Sequence, residues 1–327
     1  ELDLSEVVFI ATANIQDTIP PPLLDRMEVI PFDGYTADEK VAIARGYLWP
    51  RQVERNGLRE DEVSIDDLLI ETVITEYTRE AGVRQLEREL GKLLRKTATR
   101  IASGDAEAPL ALDLAALRDA LGRQKFFQEA AERTAVPGVA TGLAVTPVGG
   151  DVLYIEATAM PGEGRLIVTG QLGEVMRESA QAALSWVRSH ASDLGLEADW
   201  FEGKDVHIHV PAGAVPKDGP SAGIALATAL ASLALNRPVS EEVAMTGEIT
   251  LTGQVLPVGG VREKVLAAQR AGVTTVVLPK ENEGDLDDLP REVRKSMNFV
   301  PADSIDEVIE AAFPGARVLE FSSAARG

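Results

Sequence analysis

Between residues 34 and 122, apolar positions recur at spacings of three and four, the period of amphipathic helices. Thr36 followed by Glu39 is a capping-box signature, which predicts where the first helix begins. Four helices are predicted, over residues 36–48, 65–79, 83–103 and 113–121. The third carries one apolar stripe, formed by Leu86, Leu90, Leu93, Leu94, Thr97 and Ile101. The pattern therefore predicts a helical bundle domain of about 90 residues.

Beyond residue 138 the pattern mixes alternating and helical segments. Strands are predicted at 139–146, 152–157, 165–170, 206–210, 247–251 and 276–278, with helices at 174–191, 221–235, 260–271 and 305–312. The helix at 221–235 is apolar nearly all round, which indicates burial. Residues 138–327 are thus predicted to form one domain with α and β elements, joined to the bundle by a linker at 123–137.

The first 33 residues follow neither pattern. Residues 7–10 are predicted as a short buried strand, and residues 27–31 as a second one after the proline run at 20–22. Since nothing precedes the first strand that could pair with it, we expect the chain to begin inside a domain.

Composition narrows the possible functions. The 327 residues contain no cysteine, which excludes disulfides, thiolate zinc sites, iron–sulfur ligation and a cysteine nucleophile. No apolar run is long enough to span a membrane, and the acidic first residues lack the basic start of a signal peptide, so a cytoplasmic location is expected. The net charge of −20 argues against a protein that coats nucleic acid, but it leaves room for a local basic patch.

A serine flanked by glycines opens the buried helix predicted at 221–235. Gly219, Ser221 and Gly223 fit the G-x-S-x-G nucleophile elbow of α/β-hydrolases, in which a histidine follows the serine. The three histidines of this chain, at positions 190, 207 and 209, all precede Ser221, so that assignment fails. Spacing alone favours a simpler role for Ser221 as a helix N-cap.

Lysine is the remaining candidate base for a serine nucleophile. Lys264 lies on the helix predicted at 260–271, among apolar residues. A free lysine has a pKa of about 10.4, so base catalysis near neutrality requires burial to lower that pKa by roughly 2–3 units. The alternative, which the sequence alone favours, is a surface lysine paired with Glu263 or extending its head to solvent.

Several motifs together resemble those of the Lon proteases. They are Pro216-Lys-Asp-Gly-Pro-Ser-Ala-Gly223, Thr246-Gly-Glu-Ile-Thr-Leu-Thr-Gly253, Val255-Leu-Pro-Val-Gly-Gly260 and Arg262-Glu-Lys264, with further matches at 170–179, 77–88, 13–14 and 24–29. The resemblance covers essentially the whole chain. It implies a multidomain α and α+β protein, in which a helical lid precedes a Lon-type α+β domain with a Ser–Lys dyad.

By this resemblance, Ser221 is the nucleophile and Lys264 the general base, while Thr246 orients the Lys264 ammonium. Asp218 and Gly219 support the site, and main-chain N–H groups of residues 219–221 are expected to form an oxyanion hole. The sequence departs from many relatives at Ala212, where they carry glutamate. The substrate is expected to add as an extended strand near residues 160–164 or along the strand before Ser221.

The N-terminal third resembles the end of an AAA+ ATPase module. Asn14 matches the sensor-1 position, Arg26 the arginine-finger region and Arg84 the sensor-2 arginine. The sequence has no G-x-x-x-x-G-K-[ST] phosphate loop. We therefore expect residues 1–33 to be a remnant of the ATPase core, residues 34–122 its lid, and ATP and Mg²⁺ to be cofactors of the full-length protein only.

Two smaller features carry expectations of their own. His207 and His209 share one face of a strand without an apparent third ligand, so we predict a structural pair and no metal site. The helix at 83–103 is locally basic, with candidate DNA contacts at Arg88, Lys92, Arg95, Lys96 and Arg100, although a solvated helix face explains the same pattern.

The predicted function is a serine endopeptidase that degrades unfolded or damaged proteins as part of an ATP-dependent Lon hexamer. Without the phosphate loop, this chain is expected to cleave only peptides or unstructured substrates. The alternative is a non-catalytic assembly or DNA-binding module of Lon. Expected partners are unfolded polypeptides, five further copies of the chain in a ring and DNA, but no membrane.

Overall fold

A computed structural model describes residues 3–13, 19–30, 34–126, 136–146, 149–197, 199–211 and 217–313. The chain divides into two compact units, residues 1–33 and 34–327. None of the helices within these described ranges is both long and apolar enough to cross a membrane.

The first unit contains one short helix, α1 (Pro21–Leu24). The strands predicted at 7–10 and 27–31 are wrong for the described residues, which form no strand there, and Val8 and Ile10 are 86% and 92% exposed. A strand is stabilised by its neighbours, and the described part of this unit offers no partner strand. Local apolar character alone therefore does not produce a strand here.

The helical bundle predicted for residues 34–122 is confirmed. Its elements are α2 (Ala37–Ile43), a π-helical turn (Ala44–Leu48), α3 (Trp49–Arg55), β1 (Val63–Ser64), α4 (Asp67–Thr72), a second π-helical turn (Val73–Tyr77), α5 (Arg84–Ser103), β2 (Leu110–Ala111) and α6 (Leu114–Leu121). The predicted capping box is present: the Thr36 hydroxyl accepts from the Glu39 N–H (3.1 Å), and the Glu39 carboxylate accepts from the Thr36 N–H (2.8 Å). The first helical segment runs on to Arg55, because Pro50 lies in the first turn of α3, where a missing N–H is tolerated.

The apolar stripe of α5 forms the centre of the bundle core. Leu86, Leu90 and Leu94 are completely buried, and they belong to one cluster with Ile70 and Leu117. Since α5 has 20 residues, it is about 30 Å long, and it contacts α3, α6 and both π-helical turns. Three-and-four spacing thus identified the residues that hold this domain together.

The second half is built on a seven-stranded sheet. Its strands are β3 (Val139–Thr146), β4 (Gly149–Pro161), β5 (Leu166–Thr169), β6 (Lys204–His209), β7 (Val243–Met245), β10 (Thr275–Pro279) and β11 (Asn298–Ala302), in the order β11-β10-β7-β3-β4-β6-β5. The β3–β4 and β4–β6 pairs are antiparallel and the others parallel. A separate hairpin pairs β8 (Glu248–Ile249) with β9 (Val255–Leu256).

Helices cover both faces of this sheet. They are α7 (Glu174–Ser189), α8 (Gly223–Leu235), α9 (Val261–Arg270), α10 (Arg291–Ser296) and α11 (Ile305–Ala312), with 3₁₀ turns at Pro220–Ala222 and Lys280–Asp288. Within β10, Val277 packs in the cluster around α8, whereas Val276 and Leu278 pack in the cluster around α9. Because successive side chains of a strand point to opposite faces, the continuous apolar run of β10 reflects burial on both sides.

Candidate active site

Ser221 lies in the 3₁₀ turn that leads into α8. Its carbonyl oxygen accepts hydrogen bonds from the Thr246 hydroxyl (3.2 Å) and the Gly247 N–H (2.9 Å), which fixes the turn against the segment between β7 and β8. The N-cap of α8 is Ala222, and no side chain caps that helix. The interpretation of Ser221 as an N-cap is therefore wrong, and the role of its hydroxyl has to be sought in the adjacent cavity.

Lys264 lies on α9 and is only 2% exposed. The interpretation as a surface lysine is therefore wrong. Burial lowers the pKa of Lys264 from 10.5 to about 8, against the opposing influence of the Glu263 carboxylate, which raises that pKa. A lysine with this pKa is partly neutral near physiological pH, as a general base must be.

Ser221 and Lys264 line the same cavity, which has a volume of about 600 Å³. Its walls come from the end of β3, the start of α7 and the segment before α9, and include the apolar side chains of Val145, Met176 and Val258. The fold thus brings together two residues that lie 43 positions apart in the sequence. A hydroxyl and a lysine of lowered pKa in one cavity are the parts that a serine nucleophile and its base require.

Thr246 is completely buried, and its hydroxyl donates to the Ser221 carbonyl. It was expected to orient the Lys264 ammonium. The hydrogen bond described for the Thr246 hydroxyl instead connects it to the main chain of the turn that contains Ser221. Its role toward Lys264 stays a prediction.

Asp218 connects the turn that contains Ser221 to α7. One carboxylate oxygen accepts from the Met176 N–H (3.0 Å) in the first turn of α7 and from the Gly219 N–H (2.9 Å). A Cβ at Gly173 would lie 2.2 Å from the Asp218 carboxylate. The carboxylate can therefore lie this close to the main chain of residue 173 only because that residue is glycine. Asp218 therefore supports the site through structure, as a helix-capping side chain.

The expected oxyanion hole differs in detail from this arrangement. The Gly219 N–H is directed to Asp218, and Pro220 has no N–H. The remaining candidate in the 219–221 segment is the Ser221 N–H, which lies in a first helical turn, where no preceding carbonyl of the helix is available. Gly219 has φ +122° and ψ 159°, a conformation that favours glycine.

The start of β4 positions α9. A Cβ at Gly150 would lie 1.9 Å from the Glu263 carbonyl oxygen and 3.0 Å from the main-chain nitrogen of Lys264. Strand β4 and helix α9 are therefore in direct main-chain contact. On either side, Gly149 approaches Ala81 of the lid, and Asp151 forms an ion pair with Arg79. The sequence pattern predicts only a break between the strands at 139–146 and 152–157, and it does not indicate that Gly150 contacts the helix of Lys264.

Gly150→Ala should displace α9 and with it Lys264. Because the clashing atoms are main-chain atoms, they cannot be relieved by a rotamer change, and a misplacement of about 1 Å can reduce a catalytic rate about 10²-fold. Measured kcat for a fluorogenic peptide checks this. Gly284→Ala is the matched control, since nothing lies within 4 Å of a Cβ there. Equal kcat values for the two variants would contradict the proposed role of Gly150.

Of the nucleotide-related residues, Arg84 is not among those that line this cavity. Arg84 is the first residue of α5 and is exposed. Arg26 is exposed in the other compact unit, after α1. Asn14 and Ala212 lie outside the described residues. The structure therefore leaves the sensor and finger assignments as predictions.

The basic face of α5 is exposed at Arg88, Lys92, Arg95 and Lys96 and partly buried at Arg100. Lys96 forms an ion pair with Asp119 (3.2 Å) on α6. Elsewhere on the helix, Glu87 is paired with Arg51 (2.9 Å) and Arg55 (3.3 Å) of α3, so its negative charge is offset. The DNA contacts stay a prediction.

The two strand histidines share one partner. The Thr169 hydroxyl lies 2.9 Å from His207 Nε2 and 2.7 Å from His209 Nδ1, as a structural pair requires. Both residues belong to β6, which is paired with β4 on one side and β5 on the other. Since β6 has neighbours on both sides, substrate addition along it is excluded. Residues 160–164 stay the predicted location.

Comparisons with known proteins agree with these features. The sequence matches the Lon protease AAA+ ATPase lid domain over residues 54–110 and the Lon protease (S16) C-terminal proteolytic domain over residues 111–315. The Lon proteases of Chloroflexus aurantiacus and Salinispora arenicola are each 58% identical over 95% of this chain, which covers 38% and 40% of their lengths. That of Mycolicibacterium smegmatis is 54% identical over 99% of the chain, which covers 42% of it.

The chain thus spans about two fifths of the length of the curated relatives it matches. A helical lid followed by an α+β domain is the predicted architecture, and both the resemblance and the fold class are confirmed. The chain belongs to the Lon protease family and carries the family's lid and C-terminal proteolytic domains.

Proposed function

We propose that this chain is a serine endopeptidase in which Ser221 is the nucleophile and Lys264 the general base. One observation supports this most strongly: both side chains line one cavity, and burial brings the pKa of Lys264 to about 8. The three histidines of the chain, all within the described residues, are not among the side chains that line this cavity, so the base has to be one of its lysines.

The reaction follows from these two groups. The neutral Lys264 amine accepts the proton of the Ser221 hydroxyl as Oγ attacks the scissile carbonyl carbon, and the Ser221 N–H donates to the oxyanion. When the C–N bond breaks, the Lys264 ammonium protonates the leaving amine, and an ester to Ser221 remains. Water then gives a proton to Lys264 and attacks the ester, which releases the acid and returns the proton to Ser221 Oγ.

The proposed substrates are unfolded or unstructured polypeptides, because an extended chain has to reach a serine on the cavity wall. In the longer protein, we propose a hexameric ring in which Asn14, Arg26 and Arg84 contact ATP bound with Mg²⁺. This chain has no phosphate loop, so no step of its own chemistry depends on nucleotide.

A second candidate is a non-catalytic assembly or DNA-binding module. The exposed basic face of α5 favours it, since clustered lysine and arginine neutralise phosphates. DNA binding that weakens steeply with salt, in a chain whose Ser221 is unreactive, would favour this candidate over the peptidase.

Labelling with a fluorophosphonate tests the proposal directly. We expect a single adduct on Ser221, with a labelling rate that rises about tenfold between pH 7 and pH 9, because the neutral fraction of a lysine with a pKa of about 8 rises by that factor. The labelling rate rises with pH because Lys264 acts as the base, and protonation at lower pH removes this proton acceptor. Intact and peptide mass spectrometry measure the adduct, and heat-unfolded protein is the control. An adduct elsewhere, or a rate independent of pH, would contradict the proposal.

A further inference from the structure

A second lysine lies in the same cavity. The Lys217 side chain lines the cavity with Ser221 and Lys264, and its ammonium nitrogen is buried. Within the part of the chain that the structure describes, this nitrogen has no hydrogen-bond partner. An ammonium group has three donors, so a buried one without a partner is the kind of exception that needs a specific explanation.

The nearby carboxylates are already engaged. The adjacent Asp218 directs one oxygen to the N–H groups of Met176 and Gly219. Asp151 raises the pKa of Lys217, although burial lowers it by more, and this carboxylate is ion-paired with Arg79. The cavity thus contains a positive group whose charge the surrounding structure offsets only in part.

The position of Lys217 is fixed by its own main chain. Its N–H donates to the Gln171 carbonyl (3.1 Å), and its carbonyl accepts from the Gly173 N–H (2.8 Å). These bonds join the segment before Ser221 to the segment before α7 and hold the side chain where a bound substrate would pass. Since the ammonium is already desolvated, a ligand carboxylate gains a charge-assisted hydrogen bond without having to strip water from it.

We infer that Lys217 is a specificity-determining residue whose ammonium binds a carboxylate side chain of the substrate in the cavity that contains Ser221. The inference rests on the proposed function and adds a substrate class to it: polypeptides with aspartate or glutamate close to the cleaved bond. Lys264 remains the base, and Lys217 contacts substrate without exchanging a proton.

Matched peptides test this inference. In a fluorogenic peptide, one glutamate is moved through the positions on both sides of the cleaved bond and compared at each position with glutamine, which has the same shape without the charge. At one position, kcat/KM should be about 10- to 100-fold higher for glutamate, the range expected of a hydrogen bond to a charged group. Equal values at every position would overturn the inference without the use of any variant.

Two variants assign the preference to the residue. Lys217→Met should abolish the glutamate preference, and Lys217→Arg, which keeps the charge, should retain most of it. If Lys217→Met lowered kcat/KM equally for the glutamate and glutamine peptides, the inference would be overturned. Such a result would show that the role of Lys217 does not depend on the charge of the substrate. Thermal unfolding of each variant identifies a folding defect. If a variant is defective, the inference is judged by the comparison of glutamate and glutamine peptides with the wild-type protein.

The same samples separate this inference from the proposed function. If wild-type Ser221 is labelled by the fluorophosphonate and the glutamate and glutamine peptides are cleaved equally, the inference about Lys217 fails alone. If Ser221 is not labelled and no peptide is cleaved, the proposed function fails.

Discussion

Ser221→Ala should reduce peptide cleavage to the background rate, a fall of about 10⁴-fold or more, as expected when a serine nucleophile is removed. The hydroxyl is the group that forms the ester, and no other group in the proposed mechanism can replace it. Stability should change by less than about 0.5 kcal/mol, because the hydrogen bonds that described residues make to Ser221 go to its carbonyl oxygen, which the substitution keeps.

Cleavage of a fluorogenic peptide and thermal unfolding, measured on the same preparation, check both parts. Ser185→Ala is the matched control: that serine is exposed on α7, its hydroxyl donates to the Gln181 carbonyl, and it lies away from the cavity. Full activity is expected there. Activity of Ser221→Ala above that of a blank would show that another residue attacks the peptide.

Lys264→Met should abolish cleavage and at the same time stabilise the protein near neutral pH. Loss of the base should lower the rate of cleavage by about 10²–10⁴-fold. The fall should be larger still because the same lysine also protonates the leaving group. Methionine fills a similar volume without a charge. The burial that lowers the pKa of Lys264 from 10.5 to about 8 corresponds to a destabilisation of about 3 kcal/mol, which the variant removes.

The pH dependence of that gain has a definite sign. At pH values well below 8, Lys264 is protonated in both the folded and the unfolded state, so the full burial penalty acts on the wild type. Between pH 8 and about 10.4, the folded state has lost the proton while the unfolded state keeps it, so wild-type stability rises with pH. The advantage of Lys264→Met should therefore be largest at pH 7 and shrink toward pH 10.

Urea unfolding at pH 7 and pH 10, together with kcat/KM, measures these effects. Lys295→Met is the matched control: Lys295 is exposed on α10, and its replacement should leave both activity and the pH dependence of stability unchanged. Surviving activity in Lys264→Met would exclude this lysine as the base. A loss of stability at pH 7 would show that its ammonium is satisfied in the folded protein.

The lid helices and strands β3, β4 and β6 could be predicted because local patterns decide them. The apolar stripe of α5 follows from the spacing of its own residues. The hydrogen bonds between Thr36 and Glu39 cap the start of α2 and involve only four consecutive residues. Strand β7 was missed because Val243–Met245 is only three residues long. Strand β11 was missed as well; it contains Pro301 and lies at the edge of the sheet, where proline is tolerated.

The chemistry of the site depended on contacts between distant segments. Spacing favoured a surface position for Lys264, whereas its burial results from the approach of β4 to α9 at Gly150. Spacing also favoured Ser221 as an N-cap, and the motif resemblance, together with the fold, was needed to assign it otherwise. Nothing in the local pattern distinguished Lys217 as buried, because its environment comes from α7 and β3.

The segment that begins β4 has a consequence for tolerance to mutation. In the sequence, Gly149, Gly150 and Asp151 resemble an ordinary surface turn, the kind of position where substitutions accumulate freely. In the folded chain, Gly149 approaches Ala81 of the lid, Gly150 contacts the helix that carries Lys264, and Asp151 forms an ion pair with Arg79 of the lid. Three adjacent residues thus connect the lid to the proteolytic domain. A movement of the lid loop at Ala81 would therefore displace Gly149, which is next to the Gly150 contact that positions Lys264.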